Sequence, residues 1–196
     1  MWAFWIHELL HSQGLALHAP GNGFQTGLAQ DQYGSSLVLS SWDIFRLGWS
    51  PESSIACLDA TKKLDHQLVL RPLEVGSKEM RFGLVKLNQF EILVIESRRP
   101  IGYSKEWNQN DSGIFIYKVD VRLDNDRSGE ASGDTGNTTR FDKWSYYQAP
   151  DGRDLSSVQG WESTKYLFKV GEKLTSGKLQ ISFKKSGVTD VVEIVN

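Results

Sequence analysis

The spacing of apolar residues along this chain changes once, at Pro51. Before it, apolar side chains recur at helical intervals in residues 2–13 and again near Ser41–Leu47. After it, short segments alternate or run apolar and are rich in β-branched and aromatic residues, which is typical of strands. This change predicts an α+β fold in which two helices precede a β-rich part.

Both predicted helices have recognisable end signals. Residues 2–13 contain no glycine or proline, and Gly14 is expected to end the first helix. Ser40 or Ser41 can cap the N-terminus of the second helix, and Gly48 can end it. Both helices are therefore expected to be short.

Turn-forming residues separate the apolar segments after Pro51. Because helical signals largely vanish from this part, we expect the chain from residue 61 to residue 196 to form an antiparallel β-sandwich. The predicted strands are Gln67–Leu73, Met80–Leu87, Phe90–Ser97, Gly113–Arg122, Tyr166–Val170, Lys178–Lys184 and Thr189–Ile194.

Composition and charge exclude several classes of protein. The net charge is −2, so no excess of basic residues favours binding to nucleic acid or to an anionic membrane. No apolar run approaches the roughly 20 residues of a membrane-spanning helix. The apolar start lacks a basic region and is interrupted at His7, so no signal peptide is predicted. The single cysteine, Cys57, cannot form an intrachain disulfide and is interpreted as a buried apolar group.

The first predicted helix carries His7-Glu8-Leu9-Leu10-His11, which is the HExxH pattern. Two histidines four residues apart project from one face of a helix, so both imidazoles can bind the same Zn²⁺. Zinc lowers the pKa of a bound water, and a neighbouring carboxylate such as Glu8 can accept its proton. The pattern therefore predicts a catalytic zinc site.

A pattern of five residues occurs by chance, but its continuation here makes it more specific. Gly14 stands where the helix is expected to end, and His18 follows after three further residues. A glycine can adopt positive φ and turn the chain so that His18 approaches the metal from another side. Three imidazoles would leave the fourth position open, as catalytic zinc requires.

The extended motif is followed by Ser40-Ser41-Trp42-Asp43-Ile44-Phe45-Arg46-Leu47-Gly48-Trp49. Together these segments resemble the M6-type zinc metallopeptidases, the immune-inhibitor-A-like secreted bacterial proteases of the broader metzincin group. That family follows its zinc helix with a Trp-Asp-x-Phe-x-Leu-Gly-Trp stretch. Two later segments, Glu91–Arg99 and Gly113–Asp120, are similar to the family's paired strands after the catalytic domain.

The resemblance implies a domain organisation and a function. Residues 1–60 would be the C-terminal part of a metzincin-like catalytic domain, with the zinc helix and the second helix, and residues 61–196 the β-sandwich. His7, His11 and His18 would bind Zn²⁺, and Glu8 would act as general base and then general acid. The protein would be a secreted zinc endopeptidase acting on a protein or peptide substrate.

Two positions differ from the usual metzincin pattern. Metzincins usually place the third ligand where this chain has Leu17, one residue before His18. The M6 type is similar to this chain in tolerating a ligand at the later position, often an acidic residue, so His18 is taken as the third ligand. Metzincins also carry a methionine in a turn below the metal, and Leu28 stands at the corresponding place here. That methionine packs and does not bind the metal, so leucine is compatible with a zinc site.

Other functions remain open at this stage. Only six residues precede His7, whereas metallopeptidases of this group ordinarily place a substrate-binding sheet before the zinc helix. The chain is therefore also compatible with a truncated, non-catalytic fragment that acts as a metal-binding or β-sandwich binding module. Fold analogy alone suggests carbohydrate binding through Trp144, Tyr146 and Tyr147. The oxygen-rich segment Asp124-Asn125-Asp126 offers ligands suitable for Ca²⁺, although without the EF-hand spacing.

Four further polar residues have two possible interpretations, and a fifth has one. Asp31, Asp43 and Asp59 could orient a ligand histidine, although helix capping or a solvated surface is the commoner role of such residues. Tyr33 could stabilise an oxyanion or simply pack. His66 lies in a polar stretch and is expected to be exposed to solvent.

Overall fold

A computed structural model describes residues 2–13, 38–76, 78–105, 112–121 and 167–196. Within these ranges the chain is mostly sheet, with two small helices that both precede the strands. The elements are α1 (Trp2–Ser12), α2 (Ser41–Arg46), β1 (Ile55–Asp59), β2 (Asp65–Leu70), β3 (Phe82–Lys86), β4 (Glu91–Arg98), β5 (Gly113–Asp120), β6 (Lys173–Ser176), β7 (Leu179–Lys185) and β8 (Asp190–Val195).

The strands form two four-stranded sheets. Sheet 1 has the order β1-β3-β4-β5, and sheet 2 has the order β2-β8-β7-β6. Sheet 2 is antiparallel throughout, whereas β1 runs parallel to β3 at the edge of sheet 1. The parallel pair arises because the chain leaves sheet 1 after β1, forms β2 in sheet 2, and returns as β3.

The two sheets pack face to face over an apolar core. Both contribute fully buried side chains to it, among them Leu70 and Ile194 from sheet 2 and Ile95 from sheet 1. Gly83 of β3 leaves room for Leu68, whose Cδ1 atom would lie only 2.6 Å from a Cβ at that position. The two sheets therefore approach each other closely at Gly83.

The two helices cover the other face of sheet 1 with a second apolar core. Leu10 of α1 and Trp42 of α2 are buried in one cluster with Val94 of β4 and Tyr117 of β5. The described part of the molecule therefore has three layers, in the order helices, sheet 1 and sheet 2. Helix α1, which carries the HExxH motif, lies in the outer layer.

Both predicted helices are confirmed, and so are six of the predicted strands, which correspond to β2, β3, β4, β5, β7 and β8. The strand predicted over Tyr166–Val170 is wrong for the described residues of that segment, because Phe168 forms only an isolated bridge to Ile114. Strands β1 and β6 were not predicted. The sandwich is antiparallel as expected except where β1 joins it.

The interpretation of Cys57 as a buried residue is wrong. Its neighbour Ala56 faces the core between the sheets, so Cys57 lies on the opposite face of edge strand β1, where its side chain is exposed. The predicted domain boundary after residue 60 falls in the turn that follows β1. Strand β1 pairs with β3, which lies on the other side of this boundary in the sequence.

Replacing Gly113 with alanine is expected to destabilise the fold by about 1–3 kcal/mol. A Cβ at Gly113 would lie 2.5 Å from the carbonyl oxygen of Phe168 and 2.9 Å from the Cβ of Leu167. Because the nearest atom belongs to the backbone, the bridge between Ile114 and Phe168 would have to open. Urea unfolding of the variant measures this cost.

Gly76 supplies the matched control. A Cβ there would meet nothing within 4 Å, so Gly76→Ala should leave the unfolding midpoint nearly unchanged. Equal midpoints for the two alanine variants would show that the contact at Gly113 is easily relieved.

Candidate functional site

Helix α1 provides the local geometry that the HExxH motif requires. It is an α-helix from Trp2 to Ser12, so positions 7 and 11 lie about one turn apart on the same side. The backbone N–H of Gln13 bonds to the carbonyl oxygens of Leu9 and Leu10, each at 3.1 Å, and completes the last turn. The motif thus lies on one uninterrupted helix.

Leucine 10 anchors this helix to the rest of the molecule. Its side chain is buried, and Ile6 packs beside it against the same apolar cluster. In an α-helix, residue 10 lies about 100° around the axis from residue 11. His11 is accordingly half-buried, and Glu8 is exposed. The buried face of α1 is therefore different from the face that carries positions 7 and 11.

The structure describes only part of the predicted ligand set. His18 and Gly14 lie outside the described residues, and for His7 only the backbone is described. Among the described residues, no three His, Cys, Asp or Glu side chains come together as a metal-binding group. The zinc site with ligands His7, His11 and His18 therefore stays a prediction.

Other predicted positions also lie outside the described residues: Leu17, Leu28, Asp31, Tyr33, the 124–126 segment proposed for Ca²⁺, and the aromatic residues Trp144, Tyr146 and Tyr147. Among the polar residues with described side chains, His66 is exposed on β2, as expected.

Asp43 and Asp59 both form hydrogen bonds with residues close to them in sequence. Asp43 is buried at the start of α2, where Ser40 Oγ accepts a hydrogen bond from its N–H at 3.2 Å and donates one to its carboxylate at 2.7 Å. Asp59 accepts hydrogen bonds from the hydroxyl and the N–H of Thr61, and these bonds lower the pKa of Asp59. These contacts fit a capping role for Asp43, at the start of α2, and a turn role for Asp59, at the end of β1.

Helix α2 is joined to sheet 1 through its first backbone N–H groups. The N–H of Ser41 donates to Glu96 Oε2 at 2.8 Å, and the N–H of Trp42 donates to the Tyr117 hydroxyl at 3.1 Å. The Tyr117 hydroxyl in turn donates to Glu96 Oε2 at 3.2 Å. Glu96 is therefore a carboxylate at the N-terminus of a helix, where the helix dipole stabilises negative charge.

Burial keeps the Tyr117 hydroxyl of this network protonated. Tyr117 is fully buried, and burial, together with the nearby charge of Glu96, raises the pKa of its phenol well above the ordinary value. The hydroxyl therefore remains protonated and keeps donating to Glu96.

A buried arginine completes the network. Arg98 is 1% exposed and lies between two carboxylates, with Nε 2.7 Å from Glu74 Oε1 and Nη1 2.9 Å from Glu96 Oε1. Burial opposes the charge of Arg98, but the two carboxylates outweigh it and raise the pKa of the guanidinium. Glu74 also accepts the backbone N–H of Arg99 at 3.0 Å. Each charge in this group has an opposite charge in contact.

Sequence reasoning did not identify Glu96, Arg98 or Tyr117 as important. The sequence did contain a sign of the pairing. Glu96 and Arg98 continue the apolar strand run Ile92–Ile95, and charged residues buried in a strand are nearly always paired. The structure brings together three of the segments quoted for the family resemblance: residues 40–49, residues 91–99 and residues 113–120 meet at the Ser41, Glu96 and Tyr117 contacts.

The chain matches no protein-family model, no curated protein and no solved structure. The family resemblance therefore depends on the quoted motifs alone. In the part of the chain that the structure describes, no helix has the length and apolar character needed to cross a membrane.

Proposed function

We propose that this chain is a zinc-dependent endopeptidase similar to the M6 type, with residues 1–60 forming the C-terminal part of a metzincin-like catalytic domain. One observation carries the proposal: the whole His7-Glu8-x-x-His11 pattern lies on a single helix that is anchored by a residue between its histidines. Burial of Leu10 fixes the helix while Glu8 remains exposed, so a water molecule can reach its carboxylate.

The proposed ligands are His7, His11 and His18. When bound, zinc would polarise the peptide carbonyl and make a water molecule more acidic. Glu8 would accept the proton of that water and then deliver it to the departing amine nitrogen. By the same family resemblance, the substrate is a protein or peptide and the protein is secreted.

Zinc binding by the intact chain is the direct test of this proposal. We expect close to one zinc per chain by elemental analysis after dialysis, and His11→Ala should weaken zinc binding at least about tenfold. His66→Ala is the matched control, because His66 is exposed on β2 and should not affect zinc. A parent chain without zinc would refute the peptidase proposal.

The alternative is a non-catalytic module that binds metal or a partner through its sandwich. It is favoured by the two sheets, which enclose their own apolar core independently of α1. Casein cleavage by the zinc-loaded chain separates the two functions. Stoichiometric zinc without measurable cleavage would favour the binding module.

A further inference from the structure

The first three backbone N–H groups of α2 all have acceptors, and two of the acceptors come from sheet 1. Glu96 accepts from Ser41 and Tyr117 accepts from Trp42, while the third group, that of Asp43, donates to the hydroxyl of the N-cap residue Ser40. A helix of six residues has little stability of its own, so its position depends on these contacts and on its buried side chains.

Glu96 is the central acceptor of this joint. It lies on β4, an inner strand of sheet 1, and its carboxylate receives hydrogen bonds from Ser41, Tyr117 and Arg98. Its side chain is fully buried, so these bonds form away from water and are charge-assisted. Because the donors belong to α2, to β5 and to β4 itself, the Glu96 carboxylate joins these three elements.

The motif helix α1 packs against the same region. Leu10 and Ile6 lie in the apolar cluster that also holds Trp42, Tyr117 and Phe115. Trp42 and Tyr117 are the two residues whose backbone and hydroxyl groups are bonded beside Glu96. A shift of α2 would therefore move part of the surface on which α1 rests.

We infer that Glu96 is a positioning residue that holds α2, and through the shared cluster the motif helix α1, in place on sheet 1. On this view the β-rich part is an integral support of the motif helix and not an independent module. The expected effect of Glu96 on zinc affinity rests on the proposed function, whereas its expected effect on the position of the helices does not.

The test compares Glu96→Gln with Asp190→Asn. Asp190 is also a buried carboxylate, and it accepts a hydrogen bond from Ser97 at 2.6 Å and pairs with Arg99. Neither partner belongs to α1 or α2, and both bonds join sheet 2 to the sheet 1 side of the core. Both variants remove a buried charge. Only the first removes it from the helix side of sheet 1.

Hydrogen exchange of the amides is measured at a temperature where both variants are folded. We expect Glu96→Gln to speed exchange in peptides from residues 2–12 and 41–46, while Asp190→Asn leaves those peptides as in the parent chain. Zinc affinity, measured by competition with a chromophoric chelator, should fall about three- to tenfold for Glu96→Gln only. The visible spectrum of bound Co²⁺ should change in the same variant.

Tyr117→Phe provides a milder variant if Glu96→Gln does not fold. It removes the hydroxyl that links Trp42 to Glu96 and should speed exchange in the same two helices by a smaller factor. Unchanged exchange in α1, or equal effects of the Glu96 and Asp190 variants, would overturn the inference. Faster exchange in α1 for a chain that binds no zinc would support the inference and refute the proposed function.

Discussion

Replacing Glu8 with glutamine is expected to leave zinc binding intact and to reduce peptide hydrolysis by a factor of about 10²–10⁴. Glutamine has nearly the same shape as glutamate but cannot accept the proton of the attacking water. Glu8 is exposed on α1 and is not among the proposed ligands, so neither folding nor metal content should change. Casein cleavage and zinc analysis of the same preparation measure both parts of the prediction.

Glu52→Gln is the matched control for this experiment. Like Glu8, Glu52 is an exposed glutamate. It lies in a short helical turn at residues 52–54, outside the HExxH motif. Its replacement should not alter cleavage. If the Glu8 variant cleaved casein as fast as the parent chain, the assigned role of Glu8 would be wrong.

Replacing Arg98 with methionine is expected to destabilise the folded chain by about 3–5 kcal/mol. The change removes the cation between Glu74 and Glu96 and leaves both carboxylates buried without their closest opposite charge. Methionine retains much of the side-chain volume, so the loss reports mainly on electrostatics and hydrogen bonding. Urea unfolding followed by tryptophan fluorescence gives the difference in the free energy of unfolding.

The ion pair of Arg71 with Glu79 is the natural comparison. The side chain of Arg71 is 28% exposed and that of Glu79 is 60% exposed, so solvent screens their attraction. Arg71→Met should therefore change stability far less than Arg98→Met does. A similarly small effect of Arg98→Met would mean that the buried carboxylates are neutralised by protonation when the arginine is lost.

Local patterns were sufficient to predict most elements of the fold. The cap at Ser40 and the glycine at position 48, which adopts a φ of 66°, mark the ends of α2 in the sequence as they do in the structure. Strand β4 is similarly visible as a run of apolar residues. These signals depend only on neighbouring residues, which is why sequence reasoning finds them.

Strand β1 was missed for the opposite reason. Residues 55–59 include a small residue, Ala56, and an exposed cysteine, so they show no clean alternation. What makes them a strand is pairing with β3, which lies beyond β2 in the chain. Strand propensity depends strongly on such context, and a single sequence does not reveal the partner.

The same distinction between local and long-range signals applies to the candidate site. The HExxH pattern is local, and its placement on one helix followed from residue spacing. The support by Glu96 and Tyr117 is made by segments that are far apart in sequence, so the pattern around α2 gives no indication of it. The buried charges on β4 were the only available sign.

The pairing of β2 with β8 has a consequence for how the chain acquires its structure. Asp65 is opposite Val195, so the two strands are separated by well over half of the chain. Contacts of such long sequence separation carry a large loop-closure cost and are associated with slow folding. During synthesis, β2 remains without its partner until β8 has also left the ribosome. Until then Leu68 and Leu70, which are buried in the folded chain, are exposed to solvent and favour chaperone binding to the nascent chain.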